Sequence, residues 1–359
     1  MIRCYFLLLF VTGSLLVSAR QINIPKNPDG GWYKPRLPKI RPGDTIILRG
    51  NYAYWNLENI NGTTDSPVVF MNKNGRSRVG TANNYAAIFY NSSHFVIDGG
   101  GDSTIRYGIV FGPKEVTYIS LGLTVGNSTD YEIKNVEITH TQVGIYGNPD
   151  TGRTMRRIRI HHNWIHDLDN PAEKGRSEGM YLGNSSIYTV ESSAHFEDIR
   201  IYENLLEELS GDAIQLCNAQ GYQVYNNKIL NYGKSNLPSQ RTGILIGSNS
   251  FGEIRGNLIE NGYGSGIQVF GYSTHTIENN SLKQTAKGLM LDAISIEKKG
   301  LDGAPLKVNC LNNTIEGANR NGITNHSTKL TGRPGNWVGN KVSGVGGKKF
   351  LSLIGDHIK

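Results

Sequence analysis

The amino-acid sequence predicts an all-β chain wound into a right-handed, single-stranded parallel β-helix, a solenoid. Two short motifs alternate through its second half, and no helical pattern separates them. Short strands that recur in this way cannot each bury an apolar face alone, so successive coils must stack on one another. We therefore expect residues 20–359 to form one elongated domain behind an export signal at residues 1–19.

The first motif is an Asn followed by any residue and then an aliphatic residue. Most copies follow a short alternating strand, and the shortest coil, from Asn204 to Asn227, is 23 residues long. The side-chain amide of such an Asn can bond the equivalent turn above and below, so a stacked column satisfies its own polar groups. The seven copies begin at Asn163, Asn204, Asn227, Asn257, Asn280, Asn313 and Asn340.

The second motif is a small residue followed by a short alternating run, which is typical of a strand that buries every other side chain. An antiparallel sandwich is the alternative fold, but it needs two-residue hairpin turns between strands of equal length. Three of the four Asn-Gly pairs do not fall in such places, which favours the solenoid. The motif begins at Gly179, Ala213, Gly243, Gly266, Gly288 and Gly322.

Connections longer than the minimal coil cluster around the coils of Gly179 and Ala213. In a solenoid such insertions become loops on one face, often the binding face. Segments 167–177, 184–197 and 232–241 are thus expected to wall a groove. Two further extensions, after Gly288 and Gly322, are interpreted as a cap over exposed strand edges.

The chain ends and the composition narrow the possible classes of protein. Residues 1–19 combine Arg3, an apolar run and small residues near a cleavage point, as export signals do, and no second apolar run predicts a membrane span. The mature chain keeps only Cys217 and Cys310, which is neither a disulfide scaffold nor a metal-binding spacing. The net charge of +7 comes without a basic run, which argues against nucleic acid as a partner.

Several stretches resemble a known superfamily. Residues 41–48 (RPGDTIIL), 62–68 (GTTDSPV) and 97–99 (IDG) resemble the opening of pectate-lyase-like proteins, most closely that of chondroitinase B-type and alginate lyases. Residues 177–183 and 211–215 resemble strands of secreted bacterial right-handed β-helix proteins, many of them assigned to glycan breakdown. The resemblance implies an extracellular or periplasmic protein with a polysaccharide or oligosaccharide as partner.

The catalytic patterns of that superfamily do not transfer intact. The lyases are expected to carry a Lys base and an Arg on adjacent coils, but the strand here reads Ser177-Glu178-Gly179 with no Arg close behind. The pectin hydrolases carry paired aspartates and a Gly-His-Gly, whereas this chain has one Asp, Asp212, followed by Ala213. Hydrolase, lyase and non-catalytic binding module therefore all stay open.

Aligning the second motif places Glu178 and Asp212 in one polar column, in the turn before each strand. Neighbouring members should lie one rung apart, about 4.8 Å along the axis. Two carboxyl groups at that separation suit a nucleophile and an acid of glycoside cleavage, and their repulsion raises one pKa. The alternative is that the carboxyl groups of Glu178 and Asp212 have no catalytic role and only accept hydrogen bonds from backbone amides of the turns. The column reads Val143, Glu178, Asp212, Thr242, Ser265, Lys287 and Asn321.

The outward column on the same strands is the candidate surface for sugar. Tyr181, Gln215 and Gln268 are expected to contact substrate, because a sugar ring stacks on Tyr and an amide bonds hydroxyls. Ordinary stacking between rungs is the alternative role. The column reads Tyr146, Tyr181, Gln215, Leu245, Gln268, Met290 and Thr324.

Three further residues are candidates near the predicted loops. His166, beside Asp167, is a candidate acid or base, unless it only caps the backbone. Arg176 and Arg241 end two of the loops and suit the carboxylate of a uronate, unless they are simply solvated.

No cofactor or metal is expected. Calcium would need clustered carboxylates, and the chain offers only the pair plus Asp292. We expect a monomer.

Overall fold

A computed structural model describes residues 20–24, 29–33, 38–81, 84–114, 118–168, 177–183, 195–271, 273–288, 291–297, 305–328 and 331–359. Within these ranges the chain forms 34 β-strands and no helix. Strands of successive coils pair in parallel and in register. The predicted all-β parallel β-helix is confirmed.

One strand of each coil lies in a sheet that we call the front sheet. Every strand in it pairs with the equivalent strand of the next coil. In the described part of the chain its strands are Trp32–Tyr33, Trp55–Glu58, Tyr85–Tyr90, Ile119–Gly126, Thr141–Asn148, Met180–Leu182, Ile214–Cys217, Ile244–Ser248, Ile267–Gly271, Ile294–Ile296, Ile323–Asn325 and Phe350–Ser352.

The remaining strands form one sheet that bends along its length into two rows. The back row consists of Gln21–Asn23, Thr45–Tyr52, Val68–Val79, Ser93–Asp98, Thr129–Lys134, Thr154–His161, His195–Tyr202, Ala219–Tyr225, Phe251–Arg255, Thr274–Glu278, Lys307–Leu311, Asn336–Val338 and His357–Ile358. The side row consists of Ile109–Phe111, Val136–Thr139, Trp164–Leu168, Leu205–Leu209, Lys228–Leu230, Leu258–Glu260, Ser281–Lys283, Thr314–Ala318 and Lys341–Val345.

The turn between the back row and the side row is held by the predicted column of asparagines. All seven form one continuous ladder, in which each Nδ2 donates to the Oδ1 of the next Asn, as from Asn204 to Asn227 at 2.9 Å. Each Oδ1 also accepts the backbone N–H of the preceding coil. The first six of these asparagines are buried, and the Nδ2 of each bonds both the next Asn and a backbone carbonyl. The ladder therefore holds successive coils in register without leaving these buried amides unpaired.

Small residues open the front strands because the coils approach closely there. A Cβ on Gly179 would lie 2.5 Å from the carbonyl oxygen of Ala213 in the next coil and 2.9 Å from Leu206 Cδ2. The strand that follows alternates, with Met180 and Leu182 fully buried and Tyr181 half-buried. The front sheet therefore presents one outward side chain at the centre of each strand.

The register prediction was wrong in one coil. The front strand there is Ile294–Ile296, which pairs with Ile267–Val269 and Ile323–Asn325, and not the run that begins at Gly288. The polar column thus contains Asp292 in place of Lys287. The outward column contains Ser295 where Met290, which lies outside the described residues, was expected. Alignment by glycine failed because Ala293 fills the small-residue position in this coil.

Two further features bear on the predicted class of protein. Cys217 and Cys310 are buried free thiols. Within the described ranges no helix has the length and apolarity needed to cross a bilayer.

Candidate functional site

Glu178 and Asp212 occupy equivalent positions in consecutive coils, each two residues before its front strand. Met180 pairs with Ile214, and Gly179 N donates to Asp212 O at 2.9 Å, so the two residues lie one rung apart. Glu178 is 2% exposed and Asp212 is 0% exposed. The structure therefore brings together two buried carboxyl groups, and their catalytic assignment stays a prediction.

The side chain of Asp212 has an unusual electrostatic environment. Burial raises its pKa to about 8, and the nearby Glu178 carboxyl adds to this, while hydrogen bonds from Thr242 oppose it. No described atom donates to Asp212 Oδ2. Among the described residues no cation bonds to Asp212 to offset the cost of burying its charge, so the shift favours the protonated form and makes Asp212 the candidate proton donor of the pair.

The last residues of the predicted loop 232–241 close over this pair. Gln240 Nε2 donates to Glu178 Oε1 at 3.4 Å, and the backbone N–H of Thr242 donates to Asp212 Oδ1. Thr242 Oγ1 in turn donates to Gln268 Oε1 at 3.2 Å. The polar column and the outward column are thus joined by hydrogen bonds on the outer face of the front sheet. Segments 167–177 and 184–197, which were predicted to complete the groove, lie largely outside the described residues.

The three predicted sugar contacts lie on this face with different accessibility. Tyr181 and Gln268 are half-buried, whereas Gln215, between them in the column, is 5% exposed. The rings of Tyr146 and Tyr181 stack on each other with centroids 5.7 Å apart. The edge of Tyr181 and the amide of Gln268 are therefore the accessible groups.

Arg241 directly precedes Thr242 in the chain and has no carboxylate partner among the described residues. Its Nη1 donates to the Asn236 side chain and backbone, and its Nε is buried without an acceptor among the described residues. Burial lowers the pKa of this guanidinium, and no charged neighbour opposes the shift. The guanidinium is thus partly buried and bonds Asn236, not either carboxyl group of the pair. Arg176, the other predicted arginine, lies outside the described residues.

His166 belongs to a different row from the carboxyl pair. It lies in the side-row strand Trp164–Leu168, stacks on the Trp164 ring and places Nδ1 2.8 Å from Asp167 Oδ2. Nε2 lies 3.6 Å from Glu137 Oε1. Burial lowers the pKa of His166, but the bonds to Glu137 and Asp167 outweigh it and raise the pKa overall. The structure therefore puts His166 in an ion network of the side row, not in the front-sheet column.

A second polar centre on the front sheet was missed from the sequence. Asp292, three rungs beyond Asp212 in the column, binds Arg320 Nε at 2.7 Å and Nη2 at 2.5 Å, and His326 Nε2 at 2.9 Å. Its signal was present, because Asp-Ala-Ile recurs at 212 and 292, and Arg-x-Gly-Ile recurs at 241 and 320.

No group of three or more His, Cys, Asp or Glu side chains among the described residues is arranged to hold a metal ion.

Comparison with known proteins identifies the fold. The family described as the right-handed β-helix region matches residues 89–282 and 185–349, which together exceed half of the chain. No curated protein matches the sequence.

Three solved structures share this architecture. An alginate lyase from Paenibacillus sp. strain FPU-7 is 14% identical with a TM-score of 0.59, over 82% of this chain and 95% of that one. The pectate lyase Pel9A is 14% identical with a TM-score of 0.52, over 82% of this chain and 70% of that one. A lacto-N-biosidase from Eubacterium ramulus is 11% identical with a TM-score of 0.52, over 90% of this chain and 63% of that one. At such identities the likeness establishes the fold.

Proposed function

Given that this chain belongs to the right-handed β-helix family, we propose that it cleaves glycosidic bonds of a polysaccharide on the outer face of its front sheet. One observation carries the proposal: Glu178 and Asp212 are stacked one rung apart, and the pKa of Asp212 is raised to about 8. Two carboxyl groups of which one is protonated at neutral pH are what acid-assisted glycoside cleavage requires.

In this mechanism Asp212 donates its proton to the glycosidic oxygen as the bond to the anomeric carbon breaks. The Glu178 carboxylate attacks that carbon from the other side and forms a glycosyl ester. Asp212, now ionised, takes a proton from water, and the resulting hydroxide displaces Glu178. A separation of about one rung fits the retaining geometry, in which the carboxyl groups lie about 5–5.5 Å apart.

The surrounding groups support a saccharide ligand. Tyr181 and Gln268 offer an aromatic ring and an amide on the same face. Arg241, which has no carboxylate partner among the described residues, supplies a cation suited to a uronate carboxylate. The alginate lyase, pectate lyase and lacto-N-biosidase with this architecture act on saccharides by their names, which is support by fold analogy only. We further propose that residues 20–359 act as a secreted monomer after removal of residues 1–19, which lie outside the described residues.

The test is turnover of a panel of plant and algal polysaccharides by the native protein and by Asp212→Asn and Glu178→Gln. Each variant should lose about 10²–10⁴-fold in kcat, since one carboxyl group of the pair no longer transfers protons or attacks. Glu253→Gln, an exposed carboxylate of the back row, is the matched control and should keep native turnover.

The products separate the reaction types. A hydrolase yields new reducing ends without ultraviolet absorbance, whereas a lyase creates a double bond that absorbs. Native turnover by both carboxyl variants would remove the pair from the mechanism, and absorbing products would replace hydrolysis with elimination.

A non-catalytic binding module is the second candidate function. The observation in its favour is burial, because Asp212 is 0% exposed and Gln215 is 5% exposed. A closed carboxyl pair can serve only to bond turn amides, as Asp212 does with Thr242. Binding of a polysaccharide by the native protein without release of any product would favour this function.

A further inference from the structure

The strongest unassigned feature is the centre formed by Asp292, Arg320 and His326 on the front sheet. Asp292 precedes the strand Ile294–Ile296 and His326 follows the strand Ile323–Asn325, so their contact spans the outer face of the sheet. The outward residues of these two rungs, Ser295 and Thr324, are buried. Because Asp292 belongs to the same polar column as Glu178 and Asp212, the three side chains lie on the same face as that pair.

Asp292 fixes the orientation of both partners. It is fully buried and ionised, because its bonds to His326 and Arg320 outweigh burial and lower its pKa to about 2. An ionised carboxylate cannot donate, so the 2.9 Å contact requires the proton of His326 to be on Nε2. In the tautomer that carries its proton on Nε2, the other ring nitrogen, Nδ1, is an acceptor.

Arg320 and His326 each keep a polar group that Asp292 does not bond, one a hydrogen-bond donor and the other an acceptor. Arg320 commits Nε and Nη2 to Asp292, which leaves the two N–H groups of Nη1 without a partner among the described residues. His326 Nδ1 has no partner there either. The side chains of Arg320 and His326 are 31% and 27% exposed, so both reach solvent.

We propose that Arg320 and His326 form a sugar-binding subsite, held by Asp292, for a polysaccharide chain that runs parallel to the helix axis. A sugar hydroxyl accepts from Arg320 Nη1 and donates to His326 Nδ1, which matches this pair of atoms. The net charge of the ionised Asp292 and Arg320 is zero, which suits a hydroxyl better than an anion.

The subsite rests on the proposed function and extends it. It lies three rungs from Asp212, about 14 Å along the axis. Substrate must therefore extend over several sugar units, and short oligosaccharides reach only the carboxyl pair.

The experiment measures binding, by calorimetry, of two length series of oligosaccharides, one prepared from plant pectin and one from algal alginate. The background is Glu178→Gln/Asp212→Asn, so that turnover does not interfere. His326→Ala should weaken binding of the longest oligosaccharides about tenfold, the cost of one or two lost hydrogen bonds, and leave the shortest unchanged. Arg320→Lys, which keeps a cation beside Asp292, should act in the same direction. His162→Ala, an exposed back-row histidine, is the control.

Equal affinity of native and variant proteins for long oligosaccharides overturns the subsite, as does equal weakening at every length or the absence of saccharide binding. Thermal unfolding identifies any variant that is not folded, in which case the other variant decides. A failure of the proposed function is distinguishable from a failure of the subsite. If the carboxyl variants keep native turnover, the catalytic role of the pair is wrong, but His326→Ala still weakens the binding of long oligosaccharides alone.

Discussion

Asp212 and Asp292 occupy the same column, have the same Asp-Ala-Ile context and are both fully buried, yet their pKa values are shifted in opposite directions. Each accepts the backbone N–H of the equivalent residue in the next coil, Thr242 or Asn321. An arginine comes directly before this equivalent residue in both coils, Arg241 before Thr242 and Arg320 before Asn321. Arg320 binds Asp292 through two nitrogens, whereas Arg241 turns to Asn236.

The difference shows that burial alone does not decide the charge of a carboxyl group in this fold. Removal from water raises the pKa of both aspartates, but of the two only Asp292 accepts hydrogen bonds from an arginine and a histidine among the described residues, and these bonds stabilise the ionised form. One repeated sequence context therefore yields a carboxyl group with a raised pKa at one rung and a carboxyl group with a lowered pKa three rungs away. The two outcomes differ in which side chains reach the carboxyl group, since Arg320 and His326 bond Asp292 whereas Arg241 bonds Asn236.

The largest expected effect is on the pH dependence of stability at Asp212. Its folded pKa of about 8 exceeds the unfolded value, which is about 4. Between pH 4 and 8 the folded state therefore holds a proton that the unfolded state has already released. Native stability should therefore fall as the pH rises through this window, by at most about 6 kcal/mol at 1.4 kcal/mol per pKa unit. Asp212→Asn should abolish this slope and be the more stable protein above pH 8.

Chemical unfolding at a series of pH values measures this slope. Glu253→Gln should unfold as the native protein does at each pH. If the native protein and Asp212→Asn show parallel profiles, Asp212 is already ionised and its contrast with Asp292 disappears.

A smaller effect of opposite sign is expected at Asp292. Because its pKa is depressed to about 2, it contributes stability that is complete above the unfolded pKa and is lost as the pH falls through 2. Asp292→Asn should lower the free energy of unfolding at pH 7 by about 2–3 kcal/mol. The exposed Asp65→Asn is the control, and unfolding in denaturant at pH 7 is the measurement. An unchanged stability would mean that the bonds to Arg320 and His326 only offset the cost of burial.

The smallest effect tests whether Asn236 keeps Arg241 away from Asp212. Asn236→Ala removes the side-chain acceptor of Arg241 Nη1, so the guanidinium is free to approach Asp212 as Arg320 approaches Asp292. The pKa of Asp212 should then fall by about one unit, as expected for a carboxyl group that gains a nearby cation. Carboxyl carbon chemical shifts followed by NMR across pH report this change. Asn249→Ala, an exposed site, should leave the titration in place, and an unshifted Asp212 would show that Asn236 does not restrain Arg241.

Much of the fold could be read from the sequence because it depends on local repetition. Each ladder Asn, such as Asn257, is followed by a buried aliphatic residue and bonds its own equivalents, so seven copies reveal seven stacked turns. The Glu178 and Asp212 stack followed from the same repeats. The coil of Gly288 was misaligned because Ala293 replaces glycine there, and this error hid Asp292 from the column.

By itself, the sequence determined that the coils stack and, except in the coil of Gly288, which residues share a column, since each repeat carries the same pattern of buried residues and paired amides. Only the tertiary structure decided the chemistry of those columns. The charge of Asp212 or Asp292 depends on where the side chains of Arg241, Arg320 and His326 end, and these lie tens of residues away along the chain. Long side chains choose among partners by three-dimensional distance, and no local pattern records that choice.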